Sequence, residues 1–342
     1  MFFAFWIFLH FLSYVVLVYA NNKFIRYFLI LQYIIFYCIK PSTYDLVHYL
    51  DYSISDDSNY FEPVSHLFLK VAGFLSILTT IDSNIYIVIL MICIIYYPFY
   101  NFSILQNKIM QGHNVASSQI IILVFSSIFF FLSSQNVVRQ GISFALFSFS
   151  ALYLKKRQYL YSLFFLFLAF FAHYGNFPLV ILMLLFYFFS AKFNTIMSFT
   201  TGLIVGVLNL IILFYIFSDN SYLISDFSIG NERSSIVLKW FAIFLIMFFS
   251  TVIFKYNKIR IENTLLDFIK LRAFIFGLLT SIFIFDLSEM FTRVSLSFYL
   301  LDLLIVCLIS ASKNVRVNLL LLFYITIYSF APNVFNILTY EQ

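Results

Sequence analysis

Runs of about 20 apolar residues, each nearly free of charge, follow one another along almost the whole chain. In hydrocarbon such a run must satisfy its backbone polar groups internally, so each one is expected to be helical. The composition agrees: 63% of residues are hydrophobic and 10% charged, whereas soluble domains carry about a quarter charged residues. A soluble fold of 342 residues has no means of hiding so much apolar surface. The chain is expected to be an all-α, polytopic integral membrane protein, with a single transmembrane domain over residues 1–342.

Twelve spans are expected, near 2–20, 24–40, 84–101, 118–134, 137–154, 158–173, 176–191, 194–217, 236–254, 272–288, 292–311 and 317–333. The first run lacks a basic leader and a small-residue cleavage site, so it reads as a retained helix. Residues 64–81 are also hydrophobic, but counting them as a span sets the orientation against the charges. They read as a re-entrant or interfacial helix. Placing the clusters Lys155-Lys156-Arg157 and Lys255–Arg260 in the cytoplasm puts most of the 20 basic residues on that side. Lys270 and Arg272 count there as loop residues. Both termini then fall outside, as do two longer acidic loops, 41–63 and 218–235.

Other compositional features are silent about function. The 49 Phe and 25 Tyr suit lipid contact and interfaces. Eight Gly and five Pro are few for helices that pack on small residues or break in mid-membrane. Cys38, Cys93 and Cys307 lie in or beside apolar runs without CxxC spacing and read as buried, inert thiols. A net charge of +5 says nothing of nucleic acid in a chain of this kind, and no such partner is expected. No phosphate-binding loop, dinucleotide fingerprint or metalloprotease motif occurs. No metal or other cofactor is expected.

Charges at the expected outer ends of helices carry the chemical signal, because charge near hydrocarbon is costly. Arg139 lies in SSQNVVRQGISFAL, His173 in FFAHYGNFP, and Asp286, Glu289 and Arg293 in FDLSEMFTRVSLSFY; Arg233 closes the second acidic loop. Arginine offers a planar fork of donors suited to phosphate oxygens. A carboxylate or imidazole beside it suits proton removal from a hydroxyl. Blander readings stand beside these. Arg139 also fits a headgroup or an acidic partner, His173 a satisfied interfacial site, and Glu289 and Arg293 a simple i,i+4 ion pair. Asp302 falls inside an expected span and carries no assigned role.

The order of these features resembles the EpsG-like group of Wzy-type O-antigen and exopolysaccharide polymerases. The resemblance is carried by Asp45 and Tyr49 in TYDLVHY, by Glu62 and Pro63 in FEPVSHLFLKVAGF, and by the Asn-x-x-Arg-Gln element in NVVRQGISFALFSFSALYLKKR. His173 in LAFFAHYGNFPLVIL and the late pair Glu289 and Arg293 complete it.

The resemblance implies a glycosyltransferase of the bacterial inner membrane. Its substrate would be an oligosaccharide linked to undecaprenyl pyrophosphate, with membrane lipid, a chain-length regulator and a flippase as partners. It implies catalytic roles for Arg139, His173, Arg293, Glu289 and Asp45, and substrate-binding roles for Arg233, Glu62, Tyr49 and Gln140. The competing reading is a twelve-helix transporter or flippase of lipid-linked oligosaccharide, which should show internal repeats and mid-membrane polar residues. A third is an outer-leaflet acyltransferase.

Overall fold

The computed structural model describes residues 2–19, 22–39, 62–110, 117–135, 137–189, 193–216, 233–256, 263–285 and 287–310. Their regular structure is entirely helical: α1 (Phe2–Tyr19), α2 (Lys23–Ile39), α3 (Pro63–Thr79), α4 (Ser83–Met110), α5 (Ser117–Phe125), α6 (Ile128–Gln135), α7 (Val138–Lys155), α8 (Tyr159–Ala172), α9 (Phe177–Phe189), α10 (Thr195–Ile216), α11 (Arg233–Tyr256), α12 (Asn263–Ile284) and α13 (Ser288–Ser310). A 3-10 turn, Tyr174–Asn176, joins α8 to α9. Among these residues three helices are long and apolar enough to cross a membrane. They rise to five if each of two bent pairs is one crossing. The expected span at 317–333 and most of the two acidic loops lie outside the described residues.

Several expectations change. The run 118–134 is not one helix but two, α5 and α6, bent by 65°. The cause is local. Ser127 Oγ donates to the Val124 carbonyl at 2.6 Å and accepts from the Phe130 amide at 3.0 Å, ending one helix and starting the next. The hydrophobic stretch after Pro63 forms α3, with Ser65, Leu69, Ala72 and Gly73 buried on one face. Leu67, Phe74 and Ile77 are exposed on the other. Proline at its first position suits a helix start, since that amide has no helical partner. Cys93 is exposed and Cys38 half-buried, so only Cys307 is the buried thiol expected.

The described residues form two compact units: those within 2–181 together with 306–310, and those within 182–305. In the first, aromatic residues do core work that the composition did not reveal. Trp6 of α1 packs on Phe36 of α2 and Phe131 of α6 at centroid distances of 5.4 and 5.2 Å. Tyr37 meets Phe130 edge-on at 5.1 Å, while its hydroxyl donates to the Phe125 carbonyl at 2.8 Å. Edge-to-face packing of this kind adds to area burial, and the hydroxyl keeps a partner where water is absent.

The pair α7–α8 is an antiparallel hairpin. Its turn is closed by Arg157 N–H to the Leu154 carbonyl and Gln158 N–H to the Tyr153 carbonyl, with Arg157 at φ 59°. This is the Schellman arrangement, with an arginine where glycine is usual. Small polar residues zip the hairpin: Ser143 Oγ donates to the Ala169 carbonyl at 2.8 Å, and Ser162 Oγ to the Ser150 carbonyl at 2.9 Å. The basic turn therefore sits at one end of the hairpin, and Arg139 and His173 sit at the other.

In the second unit, the scarcity of glycine is misleading, because three of the eight gather at one helix crossing. A Cβ on Gly202 or Gly206 of α10 would collide with the Phe274 carbonyl or Ser281 of α12, and one on Gly277 with the Phe199 carbonyl. Gly202 and Gly206 form a GxxxG step, which lets two backbones approach.

Arg272 and Lys270 are not loop residues but buried positions within α12. Arg272 pairs with Asp302 of α13, and its Nη2 donates to Ser250 Oγ of α11 at 2.7 Å. That pairing explains how the charges of Arg272 and Asp302 are tolerated there.

Two outcomes follow for stability in detergent, read as thermal or denaturant midpoints. Gly202→Val should destabilise by about 1–3 kcal/mol, because its neighbour is backbone and cannot yield. Arg272→Met alone should cost about 3–5 kcal/mol by stranding Asp302, and adding Asp302→Leu should recover much of that loss.

Candidate functional site

Three side chains from separate parts of the first unit meet at the open end of the α7–α8 hairpin. Glu62 immediately precedes α3, where an acidic side chain would ordinarily cap the helix, yet it makes no capping bond. It reaches across instead. Its Oε2 accepts from Arg139 Nη1 at 2.8 Å, and its Oε1 meets His173 Nδ1 at 2.7 Å. Pro63, at the first helical position, sets the backbone direction from which Glu62 departs.

Arg139 lies in the first turn of α7, where the helix dipole disfavours a cation by about 0.3–1 kcal/mol. A charge-assisted bond to a largely buried carboxylate is stronger than that penalty. His173 stands just past the end of α8 in extended backbone and is followed by the 3-10 turn. Ser65 Oγ of α3 donates to the Ala172 carbonyl at 2.5 Å, holding α3 against the residue that precedes His173.

The cluster is partly open. The side chain of Glu62 is 9% exposed, that of His173 19% and that of Arg139 26%. Glu62 thus forms the floor, and Arg139 and His173 face outward. Burial alone would raise the Glu62 carboxyl. The hydrogen bond and charge of His173 and the charge and hydrogen bond of Arg139 outweigh it and hold the group below its ordinary value near 4.5.

With Nδ1 of His173 occupied by a carboxylate, Nε2 is the nitrogen left to exchange a proton or meet an anion. Gly175 keeps that side clear: a Cβ there would lie 3.1 Å from Nε2. Chemically, the arrangement joins an oriented imidazole to an arginine fork over a fixed negative charge. It resembles neither a metal centre nor a nucleophile–base pair. No group of three His, Cys, Asp or Glu side chains able to hold a metal occurs among the described residues.

Of the residues expected from sequence, Arg139, His173 and Glu62 come together, and Gln140 lies directly beside Arg139. Gln140 is buried, and its Nε2 donates to Asn176 Oδ1 at 3.0 Å. Asp45 and Tyr49 lie outside the described residues. Arg293 is exposed on α13 in the second unit. Arg233 begins α11 and Glu289 lies in the first turn of α13, but the side chains of both fall outside the described part. Asn176, Ser65 and Gly175 were not singled out from sequence. Asn176 follows His173 by one tight turn, the only signal it offers.

Apolar helices that carry an Arg–Glu–His cluster at their ends define a helical membrane protein with a polar site built at helix termini. The chain belongs to the EpsG family, whose model matches residues 42–342, and so to a group of polysaccharide-polymerase-like, glycosyltransferase-like membrane proteins. No curated protein and no solved structure matches it.

The lowered Glu62 carboxyl has a definite thermodynamic sign. A group whose acidity is stronger in the folded state stabilises the fold above its unfolded value and loses that contribution as pH falls through its folded value. Wild type should therefore exceed Glu62→Gln in thermal midpoint at neutral pH. The gap should shrink as pH falls below about 4.5 and close in stronger acid. Paired melts across that range check it, and a gap independent of pH would contradict it.

Proposed function

We propose that this protein is a polysaccharide polymerase. It transfers a growing glycan from undecaprenyl pyrophosphate to a lipid-linked oligosaccharide repeat unit at the outer face of a bacterial inner membrane. The observation that carries this reading is the carboxylate of Glu62 held between Arg139 and His173. That one site offers a phosphate-binding cation and an oriented base, in a chain whose family is polymerase-like.

In the proposed step a hydroxyl oxygen of the acceptor sugar attacks the anomeric carbon of the donor glycan. The bond from that carbon to the phosphate oxygen breaks, and the pyrophosphate leaves with the electron pair. The hydroxyl proton passes to Nε2 of His173, while Glu62 holds Nδ1 and stabilises the imidazolium that forms. Negative charge grows on the leaving group, and Arg139 is positioned to stabilise it as it develops.

Arg293 and Arg233 are assigned to the pyrophosphate on the chemistry of the guanidinium alone. Asp45 and Glu289 are assigned to the acceptor hydroxyls. Tyr49 is assigned to sugar contact. An activated lipid donor supplies the driving force without a nucleotide.

The test is extension of authentic lipid-linked repeat units by purified protein in liposomes. Wild type should yield a ladder of longer lipid-linked glycans. Arg139→Ala and His173→Ala, checked for folding, should each lower the rate by about 100-fold or more. Absence of a ladder with several authentic repeat units would overturn the polymerase reading and favour the flippase.

A further inference from the structure

Behind the Arg139–Glu62–His173 bridge lies a second, fully buried rung. Gln140 follows Arg139 in the first turn of α7, and Asn176 ends the 3-10 turn that begins after His173. Gln140 Nε2 donates to Asn176 Oδ1 at 3.0 Å, and Asn176 Nδ2 returns a bond to the Gln140 backbone carbonyl at 3.4 Å. The Asn176 backbone amide also donates to the His173 carbonyl at 3.2 Å. Gln140 and Asn176 are 5% and 3% exposed, so neither is open to a sugar or a phosphate. Two carboxamides in such a place are held by each other, since leaving either unbonded in an apolar interior costs about 1–3 kcal/mol.

We infer that Gln140 and Asn176 are positioning residues that hold the end of α7 and the His173 turn at the spacing Glu62 needs to bridge Arg139 and His173. The inference rests on the proposed role of that bridge. It reassigns Gln140 from substrate contact to support.

Arg139 and His173 do not share a helix, and only the far turn of the hairpin links α7 and α8 covalently. The serine bonds along the hairpin fix its body, the nearest being Ser143 to Ala169. Above that level the turn Tyr174–Asn176 departs from helical geometry, and the carboxamide pair joins it to α7. On the α8 side the turn is held by Ser65 on the Ala172 carbonyl, by Glu62 on His173 and by Tyr174 edge-on to Phe170 at 4.7 Å; the carboxamide pair ties it directly to α7. A loss of a few tenths of an ångström of alignment at a reacting group is costly to rate.

Two measurements test the inference independently of each other. The first is a double-mutant cycle on folding stability between Asn176→Ala and Glu62→Gln, residues with no mutual bond. If Asn176 positions the bridge, removing Glu62 costs measurably less in the Asn176→Ala background, and its pH-dependent part shrinks. Additive effects would overturn the inference. Asn176→Ser, polar but too short to reach Gln140, gives the same comparison in a gentler background.

The second is chain extension at saturating lipid-linked repeat. Asn176→Ala and Gln140→Ala should each lower kcat about tenfold with KM changed less than about twofold, and the double variant should be no slower than either. A KM effect alone would return Gln140 to substrate binding and overturn the inference. Wild-type inactivity would strike the polymerase reading only, since the stability cycle decides the clamp by itself.

Discussion

A single carboxylate organises the polar end of the first unit. Glu62 precedes α3, yet its two oxygens are spent on the first turn of α7 and on the residue beyond α8. Three elements distant in sequence are thereby tied at one point. A buried carboxylate is unfavourable without partners, and a cation at a helix start is unfavourable without an anion. Each of these costs is offset by the same two bonds, so the arrangement is mutually dependent. Around it, Ser65 fixes α3 to the end of α8, and the Gln140–Asn176 rung fixes that end to α7.

The same economy governs the rest of the fold. Helices in hydrocarbon gain little from apolar burial against one another, so close backbone approach and buried polar contacts must specify the pairing. In the first unit, serines along the α7–α8 hairpin and hydroxyls in the aromatic core supply that specificity. In the second, glycines let α10 and α12 touch, and the Arg272–Asp302 pair links α12 to α13 with Ser250 of α11 joined to it. The buried ion pair lies far along the sequence from the Glu62 bridge and has no catalytic assignment. It joins α12 to α13 within its own unit.

Much of this was legible in the sequence, and for identifiable reasons. Apolar runs of helical length announce all-α structure, because hydrocarbon permits little else. The helices at 23–39, 138–155, 195–216 and 233–256 fall where the runs fall. Arg139 and His173 stood out because charge beside hydrocarbon needs a reason, and Glu62 was singled out only by the family resemblance. The break at Ser126–Ser127 was not legible, since serine reads as neutral in an apolar run until its hydroxyl turns back on the backbone. Arg272 was misread as a loop residue for a related reason: its partner is 30 positions away, and a charge looks like a boundary until that partner is known.

By itself, then, the sequence determined the class of the protein, most of the described helical segments and the residue types able to handle phosphate and a proton. It did so because solvent preference and the cost of charge are properties of residues taken singly. Only the tertiary structure decided that Glu62, rather than another acid, joins Arg139 to His173. Only it decided that Gln140 turns inward to Asn176 and that three of the few glycines meet at one crossing. Those outcomes depend on distances between segments far apart in the chain, and a linear pattern carries no information about which hydrogen-bonding groups will be left facing each other once the helices pack.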